Sequence, residues 1–201
     1  MPLLEKKNFT EKWVGSDEKF NKLYPMPVRE LARKHWTPLS VAQKAARFLA
    51  AEKNVRILDI GSGVGKFCLA AAQASPDAYY VGVEQRKHLI QHAQTARDML
   101  GLQNVFFVHG NFTQLNFKLY DHFYFYNSFY ENLAGTGKID YSIDYSPELF
   151  SYYNRYLYRQ LDQKAAGTRL VTYHSMEDEV PPDYHVVASE MENLLKYYIK
   201  I

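Results

Sequence analysis

The chain has 201 residues, an ordinary domain's length, with 47% hydrophobic and 23% charged residues, 10 Gly and 8 Pro; this excludes a disordered, collagenous or low-complexity protein. A chain of this size buries roughly 70% of the surface its unfolded form exposes, and its one cysteine, Cys68, excludes a disulfide framework and a multi-thiolate metal site. The net charge of +2 is too small for general polyanion binding, no apolar run reaches the roughly 18 residues of a membrane span, and the N-terminus MPLLEKKNFTEKW carries no apolar secretory core, so a cytoplasmic, reducing setting and no membrane contact are expected.

In chain order, residues 1–26 mix Lys, Glu and single aromatics without a period and read as an arm; residues 27–201 read as the folded domain. Residues 1–56 hold 12 Lys+Arg against 6 Asp+Glu, a local +6, and the rest of the chain is at −4. Such a basic segment is in most cases a solvated face, and it can also steer acidic partners. Pro27 suits the first turn of a short helix to about Trp36. Thr37-Pro38 reads as a cap before a second helix, in which Leu39, Ala42, Ala45, Ala46, Leu49 and Ala50 recur at helical spacing through Ala51.

From Val55 on, strands and helices alternate. Strands are predicted at 55–60, 78–83, 105–109, 123–126 and 168–174. Helices are predicted at 66–74, 86–100 and 147–163. This alternation implies βαβ units, a parallel sheet and right-handed crossovers. The tail, 185–188 and 194–199 around a polar 189–193 turn, reads as a terminal antiparallel hairpin. Only Ser175 to Asp183 separates it from the fifth strand, too short for the usual crossover helix.

The strongest signal is Asp59-Ile60-Gly61-Ser62-Gly63-Val64-Gly65 between the first strand and its helix. Glycines there let a ligand approach the backbone, beyond the carboxyl ends of the strands. A phosphate loop would need a hydroxyl after Lys66, where Phe67 stands. A dinucleotide turn would need glycine where Lys66 stands. Asp59 can accept from a ligand ammonium group, directly or through water, and would repel a pyrophosphate. The turn therefore suits a zwitterionic amino-acid moiety. Glu84 ends the second strand, where a carboxylate can take two ribose hydroxyls.

With these residues in register, the chain resembles the class I S-adenosylmethionine (SAM)-dependent methyltransferases over about residues 37–174. The resemblance implies a Rossmann-like α/β fold: a seven-stranded, mostly parallel sheet with helices on both faces and a C-terminal antiparallel hairpin. It implies SAM as cofactor, bound by Thr37, Asp59, Gly61, Ser62, Gly63, Glu84, Gln85, Asn111, Phe112 and Asn127. Asn111 stands where the family usually has an acidic residue for the adenine amine; its amide oxygen can still accept from that amine. Phe112 offers its backbone and ring edge to the base. Thr37 lies in the region that closes over the methionine end.

The acceptor is expected at the end of the fourth strand, in Tyr126-Asn127-Ser128-Phe129-Tyr130. This segment resembles the D/N-P-P-Y tetrapeptide of amino-methyltransferases, with Ser-Phe in place of Pro-Pro, and the Asn-Asn-Phe segment of non-SET lysine methyltransferases. Asn127, with Tyr126 and Tyr130, is the candidate catalytic set; Phe123, Phe125 and Phe129 read as core. The missing prolines weigh against a nucleobase and favour a protein nitrogen, such as a lysine, or a small molecule, with nucleic acid not excluded. The reading is thus N-methylation. The alternatives are an NAD(P)-binding oxidoreductase and a non-catalytic SAM-fold interaction module.

The polar stretch 131–146 can cover the acceptor site or lie as a surface loop. His174 can face the site, with a structural role favoured. His88 and His92 share a helix face, but no carboxylate completes a metal set, and no metal is expected. Neither acceptor identity nor oligomeric state is encoded legibly.

Overall fold

The computed structural model describes Trp13 and residues 15–201. Seven strands, β1 (Arg56–Ile60), β2 (Tyr79–Glu84), β3 (Val105–His109), β4 (His122–Phe125), β5 (Arg169–Tyr173), β6 (Tyr184–Glu190) and β7 (Leu195–Lys200), form one sheet. Their order is β3-β2-β1-β4-β5-β7-β6. β1 to β5 pair in parallel, and β7 is antiparallel to both β5 and β6. The principal helices are α4 (Leu39–Leu49), α5 (Lys66–Ala74), α6 (Lys87–Leu100) and α7 (Pro147–Asp162), preceded by the short α1 (Asp17–Asn21), α2 (Met26–Arg29) and α3 (Ala32–His35).

The inner strands read as continuous apolar runs because both sheet faces are covered. Ile57 and Leu58 are both fully buried, yet they belong to opposite layers. Ile57, Tyr80 and Tyr124 pack with α4, α5 and α6. Leu58, Phe123 and Phe125 pack with α7 and an aromatic cluster that includes Phe112, Phe117 and Phe129. α4 and α5 pack against each other, and both bury small residues in this layer, Ala42, Ala45 and Ala46 from one and Ala70–Ala72 from the other. α7 presents Tyr153, Leu157 and Leu161 on one stripe, and Ser146 caps it by accepting from Leu149 N.

Several local expectations differ from the structure. The helix predicted to Trp36 is two separate turns, because Leu31 N–H donates to Val28 O, three residues back rather than four. Thr37 does not cap α4. Pro38 holds that position, Asp17 Oδ1 accepts from Leu39 N at 3.1 Å, and Thr37 Oγ1 bonds Tyr124 Oη at 3.0 Å inside the core. Residues 174–183 hold no helix, as the short connection required.

Residues 1–12 and 14 of the expected arm lie outside the described residues. Beyond them the segment is packed: Phe20, Leu23 and Tyr24 are buried with Trp36, and Tyr24 Oη donates to Val64 O at 3.0 Å. The buried Lys66 ammonium pairs with Asp17 and donates to Asn21 Oδ1 at 3.0 Å. Since Phe20 is 0% exposed, Phe20→Ala should cost about 3–5 kcal/mol in urea unfolding. A loss below about 1 kcal/mol would show that this segment lies outside the cooperative unit.

Candidate active site

β1 to β5 end on one edge of the sheet, and the connections leaving them line a cavity of about 540 Å³, an ordinary ligand-pocket size. From β3 across to β5 its wall includes Phe112, Glu84, Gly61, Gly63, Asn127 and His174. A smaller cavity of about 30 Å³ adjoins it, sharing Gly61, His35 and Tyr126. Thr37, Asp59 and Ser62 line the smaller one.

The glycine turn hangs on β2, with Gly61 N and Ser62 N donating to Val83 O at 3.0 and 2.9 Å. Gly63 has φ +54°, and a Cβ there would meet no protein atom within 4 Å, so its cavity side is bare backbone. Ser62 Oγ is buried without a hydrogen-bond partner among the described residues. Asp59 is 3% exposed. Burial pushes its pKa up to about 8; the hydrogen bond from Cys68 Sγ opposes this and the Glu84 charge adds to it. At neutral pH the Asp59 carboxyl is therefore largely protonated.

Glu84 accepts from Gly63 N at 3.2 Å through Oε2, and from Arg86 N at 2.9 Å and Nη1 at 3.3 Å through Oε1. Arg86, 5% exposed, also reaches Glu131 Oε2 at 2.6 Å, Tyr145 Oη at 2.6 Å and Asp140 Oδ1 at 3.3 Å. The stretch 131–146 thus folds around one guanidinium and lines the cavity with Gly135, Thr136, Gly137, Ile139 and Tyr145. Sequence reading treated Arg86 as a helix start. Its signal was available: a cation at a helix N-terminus opposes the dipole and calls for another cause.

Asn111 is not among the cavity residues. Its Oδ1 accepts from Thr113 N and Oγ1, both at 3.0 Å, and its Nδ2 donates to Gln85 Oε1 at 3.1 Å and Tyr153 Oη at 2.8 Å. The oxygen expected to face an adenine amine is spent on capping the turn at 112–114. Gln85 and Phe112 do line the cavity.

At the end of β4, Asn127 has φ +41°, and its carboxamide lines the cavity with no hydrogen bond among the described residues. Ser128 Oγ donates to Ile60 O at 2.5 Å. A Cβ on Gly61 would lie 2.4 Å from Ser128 Cβ, so the two strand ends touch only because Gly61 has none. Tyr126 Oη donates to Lys34 O at 3.3 Å. Tyr130 lines the cavity and is 44% exposed, while Phe123, Phe125 and Phe129 are core. Ser128 and Lys34 had no role in the sequence reading; a lone Ser among aromatics was the only cue.

The sequence profile of the methyltransferase-domain family matches residues 51–196. The chain belongs to this family. It is a class I SAM-dependent methyltransferase. It is similar to the tRNA (guanine-N(7)-)-methyltransferase of Synechococcus sp. (strain JA-3-3Ab), 52% identical over 54 residues, covering 27% of this chain and 23% of that protein. The enzyme of the same name from Nostoc sp. (strain PCC 7120 / SAG 25.82 / UTEX 2576) is 32% identical over 84 residues, 42% of this chain and 38% of its own. The chain thus matches well under half the length of these curated relatives. In fold it is similar to an RNA methyltransferase from Salinibacter ruber solved with S-adenosyl-L-homocysteine, with TM-score 0.55, 19% identity, and coverage of 82% of this chain and 91% of that one. The oxidoreductase and non-catalytic alternatives draw no support from these matches. No helix among the described residues is long and apolar enough to cross a membrane.

The methyltransferase's own residues fit the cofactor. Gly63 leaves bare backbone on the cavity, the buried Ser62 hydroxyl has no hydrogen-bond partner among the described residues, and the Glu84 carboxylate stands at the end of β2.

Two predictions follow from these charges. Arg86→Ala leaves Glu84, Glu131 and Asp140 without their shared cation, so amide exchange across 131–146 should rise sharply and SAM affinity should fall by roughly tenfold or more, read by hydrogen exchange and calorimetry. For Asp59, the folded chain keeps a proton that the unfolded chain loses near pH 4, so stability of the ligand-free protein should fall as pH rises from about 4 through about 8. Asp59→Asn should flatten that decline, which is on the order of a few kcal/mol, in urea titrations at pH 5 and pH 9.

Proposed function

We propose that this methyltransferase transfers the methyl group of SAM to a nitrogen of a nucleobase in RNA. The observation that carries the reading is the 52% identity over 54 residues to a tRNA (guanine-N(7)-)-methyltransferase. The local structure offers another brace where the prolines are missing. Prolines would stiffen the segment after β4; here the Ser128 bond to Ile60 O and the left-handed Asn127 hold it instead.

SAM supplies an electrophilic methyl group on a sulfonium. Glu84 takes the ribose hydroxyls, and Phe112 and Gln85 border the base, with Asn111 acting through Gln85. Gly61, Gly63, Ser62, Asp59 and Thr37 serve the methionine end. Asn127 accepts from the acceptor and turns its nitrogen toward the methyl, while Tyr126 and Tyr130 flank it. The protein's part is positioning and exclusion of water. The reading includes a cytoplasmic setting.

A second reading, a protein lysine acceptor, rests on the Asn-x-Phe form of residues 127–129. Transfer of labelled methyl from SAM into a host extract, fractionated into RNA, protein and small molecules, separates the two. Label should enter RNA and fall by at least roughly tenfold with Asn127→Ala; label confined to a discrete protein band would sink the nucleobase reading.

A further inference from the structure

Lys34, exposed on α3, lies at the rim of the cavity. Its backbone is fixed beside the acceptor segment, because Tyr126 Oη, one residue before Asn127, donates to Lys34 O at 3.3 Å. Its side chain crosses to the 131–146 stretch, where a Cβ on Gly137 would lie 3.9 Å from Lys34 Nζ. Two strong cations line the cavity, Lys34 and Arg86. Arg86 is spent on Glu84, Glu131 and Asp140. Lys138, on the same stretch, is spent on the carbonyls of Glu131 and Leu133. The Lys34 ammonium has no carboxylate or carbonyl partner among the described residues.

The carboxylates of the wall are Glu84, Glu131 and Asp144. The first two are tied to Arg86, while Asp144 sits on the 131–146 stretch with no ion pair among the described residues. Burial holds His35 and His174 below the ordinary histidine pKa, so they add little charge at neutral pH. An entering anion is thus repelled from the Asp144 side and drawn to α3, where Arg33 is exposed beside Lys34.

The 131–146 stretch also presents a bare ring. Ile139 and Ile143 line the cavity, and Tyr141 between them is 88% exposed. The tip that carries it is braced. Ser142 N and Oγ donate to Asp140 Oδ1 at 2.9 and 2.7 Å, and Tyr145 Oη reaches Asp140 O at 2.7 Å. A ring held outward on a fixed tip is ready for stacking, with little ordering left to do.

We propose that α3 and the 131–146 stretch clamp an unpaired segment of RNA, Lys34 pairing with a phosphate beside the acceptor nucleotide and Tyr141 stacking on a neighbouring base. This rests on the nucleobase reading above and deepens it; it requires no particular acceptor nitrogen, guanine N7 included. A charged backbone with open base faces is what a single strand offers and a duplex withholds. The acceptor base must also leave any helix to enter the cavity.

Fluorescence anisotropy of a short single-stranded RNA, and of the same sequence as a duplex, across a salt series reads the clamp. Lys34→Ala should lower the slope of log affinity against log salt by about 0.7, one phosphate contact, and Lys34→Arg should restore it. Tyr141→Ala should weaken single-strand binding by at least roughly fivefold, and Tyr141→Phe should stay within about twofold of wild type. With host RNA as substrate, both alanine variants should raise KM, while kcat at saturating RNA and the SAM dissociation constant stay within about threefold of wild type.

An unchanged salt slope in Lys34→Ala, unchanged affinity in Tyr141→Ala, or a duplex bound more tightly than the single strand would each overturn the clamp while wild-type label still enters RNA. Absence of label in RNA would instead overturn the nucleobase reading on which the clamp rests.

Discussion

One carboxylate ties the two halves of the site together. Glu84, 6% exposed at the end of β2, accepts from the glycine turn through one oxygen and from Arg86 through the other. A buried carboxylate must be hydrogen-bonded and paired, and each bond here serves a second purpose. The bond from Gly63 N fixes the turn whose bare face lines the cavity. The pair with Arg86 sets the guanidinium that gathers Glu131, Asp140 and Tyr145, and hence the whole 131–146 stretch. The glycine turn and the 131–146 stretch, both on the cavity wall, thus share one electrostatic hinge.

The opposite end of the cavity is held differently. Asn127 and His174 are strained, and they are kept so by backbone and hydroxyl contacts rather than by charge: Ser128 to Ile60 O, Tyr126 to Lys34 O, and His174 N to Leu194 O. These contacts anchor the strand ends to β1, to α3 and to the terminal hairpin. Close approach of β4 to β1 is possible because Gly61 carries no Cβ against Ser128. A rigid end that presents two polar side chains unpaired among the described residues suits a step that depends on the aim of the acceptor.

The architecture was legible because its signals are local. Alternating apolar runs, the Gly101 that closes α6 in the left-handed conformation, and the short 174–183 connection each have one physical meaning. The glycine turn and Glu84 were legible for the same reason. What escaped were partners distant in sequence. Nothing near Asn111 announces that Tyr153 and Gln85 will take its amide, or that its oxygen will cap the next turn. Thr37 looked like a cap because Thr before Pro usually is one, yet it is 87 positions from the Tyr124 hydroxyl that claims it. Arg86 pairs with Glu131 45 positions away. Spacing within one element foretells a face; it does not foretell which loop folds back over it.

Charge is distributed along the cavity with a sense. Around Glu84 the carboxylates of Glu131 and Asp140 outnumber the one guanidinium, while Lys34 and His35 line the cavity from α3. Methyl transfer carries the sulfonium's positive charge from sulfur toward the acceptor. The excess of carboxylates around Glu84 suits a cationic cofactor at that end of the cavity.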